Sequence, residues 1–69
     1  MTTENEQLTI FELTAAVAGL RQIEAQIAAM RGAFLVGGAV SFARQANDIG
    51  VLVADLIREI EREIAKQKP

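Results

Sequence analysis

Cysteine and histidine are both absent from this chain of 69 residues. Without cysteine there is no disulfide, no thiolate metal site and no cysteine nucleophile. Without histidine the commonest general base and the commonest neutral metal ligand go as well. Aromatic residues are scarce: three phenylalanines, with neither tryptophan nor tyrosine. Long apolar runs are missing too. The longest uncharged stretch, Gly32 to Ala43, contains Gly37-Gly38 and falls short of the roughly 20 apolar residues that a membrane-spanning helix needs. Arg21 and Glu24 interrupt the other apolar span. The start, Met1 to Gln7, carries Glu4 and Glu6, the reverse of a basic signal-peptide start, so neither a targeting segment nor membrane insertion is expected.

Basic charge is thin. The formal net charge is −2 and the pI is near 4.9. Direct nucleic-acid binding needs Lys and Arg gathered on one face. Here Arg58, Arg62, Lys66 and Lys68 are diluted by Glu59, Glu61 and Glu63. Nor is the surface acidic enough for a nucleic-acid mimic. Lack of cysteine fits a reducing cytoplasm.

What the chain does have is two apolar stripes in alternating steps of three and four. The first runs Leu13, Ala16, Leu20, Ile23, Ile27, Met30, Phe34; the second runs Phe42, Ala46, Ile49, Val53, Leu56, Ile60. Such spacing keeps each set on one face of a helix, as in a coiled-coil seam. Residues 1–7 read as a disordered tail and 8–69 as a single helical-hairpin domain. Helix 1 is expected over about 9–36, the turn at 37–38 and helix 2 over about 39–66. Thr9 and Glu12 form a capping-box pair, and Leu8 can staple onto Leu13. Gly37 or Gly38 supplies the left-handed residue that ends a helix. A turn that begins at Gly32 and a third helix capped by Asn47-Asp48 are weaker alternatives, because the second stripe stays in register from Phe42 through Ile60.

One hairpin cannot cover all this apolar surface. Ala43, Gly50, Ile57 and Ile64 widen the helix 2 stripe, the width of a bundle helix. Opposite the helix 1 seam lie Phe11, Ala15, Ala18, Ala25 and Ala29. Helix propensity explains Ala25, Ala28 and Ala29 as well as packing does, but it does not explain Phe11, Val51 and Leu52. The fold class is therefore all-α, an antiparallel helical hairpin that dimerises into a four-helix bundle. Leu13, Leu20, Ile23, Ile27, Met30, Phe34, Ile49, Val53, Leu56 and Ile60 are its expected core and dimer residues.

No chemistry is displayed, and the chain reads as a non-enzyme. Ser41 and Thr14 have no histidine to activate them. Asp55 and Glu59 lie one turn apart, yet on the polar flank. The glycines make no phosphate loop, since no strand precedes them and no Lys-Ser/Thr follows. No catalytic residue, metal site or cofactor is expected. Arg21 and Glu24 are spaced for an i,i+3 pair. Arg31 and Arg44 lack an obvious partner and suit intermolecular contact. Interfaces are anchored by aromatics and arginine, which points to two partner regions: Phe11 on helix 1, and a turn end of Arg31, Leu35, Val36, Phe42 and Arg44. Phe11 packing across a dimer axis remains open.

The segment Gln7-Leu8-Thr9-Ile10-Phe11-Glu12-Leu13, continuing through Ala18-Gly19-Leu20-Arg21-Gln22, resembles the small anti-quorum-sensing proteins encoded by temperate bacteriophages. The resemblance covers mainly helix 1 and carries no catalytic or ligand motif. It implies a helical dimer in the cytoplasm of a host bacterial cell. Such a dimer binds the DNA-binding region of an acyl-homoserine-lactone-sensing transcription activator and blocks promoter access, and it can also inhibit the type IV pilus assembly ATPase. No contact residue carries over. Two other classes stay open: a structural oligomerisation or scaffold module, and a small membrane-active protein. A second sticky face beyond the self-interface distinguishes an inhibitor from a scaffold.

Overall fold

A computed structural model describes residues 9–67. The tail expected over 1–7, Leu8 of the staple and Lys68 lie outside them. Within the described residues the chain forms α1, Ile10–Val36, and α2, Val40–Gln67. Both boundaries follow from local chemistry. The Glu12 amide donates to Thr9 Oγ1 at 3.1 Å, and the Thr9 amide donates to Glu12 Oε1 at 2.9 Å. Two amides that helix geometry leaves without partners are thus satisfied reciprocally.

At the other end Gly38, not Gly37, takes the left-handed conformation, with φ 80°. The Ala39 amide reaches back to the Phe34 carbonyl at 2.8 Å and the Gly38 amide to Leu35 at 3.1 Å. This paired bonding closes α1 as a Schellman motif and reverses the chain at once. The connection is too short for anything but antiparallel neighbours.

The helices meet along a seam displaced from the stripe read in the sequence. On α2 every buried or half-buried position falls on Ala43, Ala46, Gly50, Val53, Ile57, Ile60 and Ile64, with Ala54 beside them, and half-buried Ala39 precedes the helix on the same line. On α1 the buried residues are Leu13, Val17 and Ile27, flanked by half-buried Leu20, Glu24 and Phe34. Val17 was not anticipated; Ala16 had been placed there. Conversely Ile23, Met30, Phe42, Ile49 and Leu56 are exposed within the hairpin. The reason is steric. Two parallel apolar lines one residue apart compete for the seam, and the line bearing Ala43, Ala46 and Gly50 lets the helix axes approach more closely. The bulkier line is turned aside.

The resulting body is a single layer of two helices, 49 × 24 × 14 Å. Its radius of gyration, 15.6 Å, exceeds the roughly 11 Å of a compact domain of this length. Stable cores normally lie between at least two packed layers. This hairpin supplies one.

Candidate interaction surfaces

Because the hairpin is flat, each side chain outside the seam belongs to a front, a back or an outer edge. The front collects the displaced line. Ile23 and Met30 from α1 stand beside Phe42, Ile49 and Leu56 from α2, with half-buried Ala16, Leu20, Phe34, Val53 and Ile60 between them. Met30 remains 49% exposed and Leu56 45%. The Phe34 and Phe42 rings meet at 5.5 Å between centroids, tilted by 52°, a favourable aromatic geometry. Together with Ile27, Met30, Gln45, Ala46 and Ile49 they line a groove at the turn end of this face. From Ala16 to the turn no charged side chain lies within the stripe; Glu12 and Glu63 stand at its open end.

The back is polar and internally paired. Arg21 bonds Glu61 across the helices at 2.7 Å, and not Glu24, its expected i,i+3 partner. Arg31 donates to Asn47 Oδ1 at 3.0 Å. A shallow groove between these bonds is lined by Glu24, Ala28, Arg31, Asn47, Val51 and Ala54. Further along α2, Arg58 pairs with Asp55, so Asp55 belongs to a solvated ion pair.

The two outer edges differ. That of α2 carries Arg44, Asp48 and Arg62, whereas that of α1 is uncharged. Phe11 is 81% exposed at the open end, with exposed Ala15, Ala18, Ala25 and Ala29 following it.

The residues expected as partner contacts are all exposed, Arg31 while bonded to Asn47, but they do not form one patch. Phe11 stands at the end opposite the turn. Phe42 joins the front, where it packs on Phe34. By helical position Leu35 and Arg31 turn toward the back and Val36 toward the outer edge. Val36 is 91% exposed. Arg44 makes no ion pair among the described residues. Val40, exposed at the turn, was not singled out, because position 40 belongs to neither stripe.

Among the described residues no three of His, Cys, Asp and Glu are grouped to hold a metal ion, and no helix is long and apolar enough to cross a membrane. Comparisons with protein-family models, curated proteins and solved structures find no match to this chain.

Proposed function

We propose that this chain is a non-enzymatic interaction protein that pairs with a second copy through its front face, forming a four-helix bundle, and inhibits a host regulator by occupying its surface. One observation carries the pairing: an apolar face on a hairpin one helix thick, uncharged from Ala16 to the turn, that nothing among the described residues covers. Exposed contiguous apolar surface of this kind marks a contact site, and a two-fold pair supplies the missing second layer.

The target follows from the resemblance of residues 7–22 to phage anti-quorum-sensing proteins. It is the DNA-binding region of an acyl-homoserine-lactone-sensing transcription activator, with the type IV pilus assembly ATPase as a second candidate and the host cytoplasm as the place of action. What supports an inhibitor over a plain scaffold is the apolar surface beyond the front, at Phe11 and at Val36 and Val40.

A mobility-shift assay tests the target. Adding the purified protein to such an activator bound to promoter DNA is expected to release the DNA. Release absent at large excess, with the protein at dimer mass, would leave the scaffold reading. Partitioning into lipid vesicles would favour the membrane-active one.

A further inference from the structure

The front face is uneven along its length, and the unevenness orients a second copy. At the turn end the Phe34 and Phe42 rings stand together with Met30 beside them, making a ridge. Toward the open end the same side of α1 carries Ala16 and Gly19, making a hollow. Charge varies in the same sense. Glu12 and Glu63 flank the front at the open end. About five helical turns away, at the equivalent positions near the turn, stand Met30 and Gln45.

Two copies seated front to front are related by a two-fold axis either along the helices or across them. The axis along them brings turn end to turn end. The phenylalanine rings of both copies then wedge one end apart, while Glu12 and Glu63 of both copies crowd together at the other. The axis across them brings each ridge to the open end of the other copy, Met30 over the Ala16–Gly19 hollow and Phe34 toward Glu12. Each acidic end then meets a turn end whose front carries no charge.

Building on the pairing proposed above, we infer that the front face seats a second copy running in the opposite direction, turn end to open end. The axis crosses near Ile23 and Val53, which stand level midway along the two helices.

The natural lack of cysteine makes the test direct. Ser41→Cys places a spin label at the turn end, and Gln22→Cys places one midway along α1; both positions are exposed. Electron–electron distance measurement on Gln22→Cys reports pairing, with a separation below about 30 Å in either arrangement. Ser41→Cys reports direction. The expected separation is about 40 Å, nearly a helix length, against roughly 20 Å if the turn ends adjoin. A short Ser41 distance overturns the orientation and leaves the pairing intact. Absence of dipolar coupling at both labels, with monomer mass in sedimentation, overturns the pairing and the orientation together.

Discussion

Ile27 and Gly50 face each other across the hairpin: Ile27 Cγ2 lies 3.6 Å from the point that a Cβ on Gly50 would occupy. That is ordinary van der Waals separation, so the glycine leaves room for a methyl group and no more. Glycine inside a helix is about 0.5–1 kcal/mol less favourable than alanine. Gly50→Ala is therefore expected to raise the thermal midpoint followed by circular dichroism. Gly50→Leu, which must push the helices apart, is expected to lower it.

The two turn glycines should respond oppositely to alanine. Gly38 has φ 80°, where a Cβ costs about 1–2 kcal/mol. Gly37 has φ −79° and ψ −2°, which any residue adopts. Chemical denaturation should show Gly38→Ala destabilised by about that amount and Gly37→Ala close to the parent. Equal effects would mean that the left-handed residue has been misplaced.

Thr9→Ala removes the acceptor that holds the Glu12 amide, a loss of about 1 kcal/mol for an N-cap. Hydrogen exchange should show the cost locally, as faster exchange at residues 10–13 with the amides near the turn unchanged.

Seam and front substitutions separate folding from pairing. Ile27 is buried, so Ile27→Asp strands a carboxylate at a cost of several kcal/mol and should unfold the chain. Leu56 is half in solvent, so Leu56→Asp should keep the helical signal at high concentration but shift sedimentation toward monomer. Val51→Asp, on the back, should do neither. Dissociation by Val51→Asp with Leu56→Asp inert would place the self-interface on the wrong side.

The Arg21–Glu61 contact predicts little. Both side chains are about half exposed, and exposed ion pairs contribute from near zero to about 1 kcal/mol. Arg21→Ala should shift stability by less than the Thr9 variant does.

Helix ends were legible in the sequence because they are local. Thr9 with Glu12, and the Gly37-Gly38 pair, announce their geometry within a few residues. The direction of each helix face was harder. Phe42, Ile49 and Leu56 have the same heptad spacing as Ala43, Gly50 and Ile57, and periodicity alone does not say which line faces the partner helix. Close approach decides that, and it depends on both helices at once. For the same reason Arg21 was paired with Glu24 by spacing, when its carboxylate lies forty residues away on the other helix. The partner patches suffered most: Leu35, Val36 and Phe42 are neighbours in sequence or across the turn, yet point to different sides.

The thinness of the hairpin, 14 Å with six buried side chains among the described residues, has a consequence for how long each copy persists. When the second layer comes from another copy, the folded fraction rises with total concentration, and a figure for stability has no meaning without a figure for abundance. On the pairing proposed above, sparse copies early in synthesis would spend much of their time open to proteolysis and, past a threshold, would protect one another. Dilution would reverse the process, so the protein's own dosage would act as its clock.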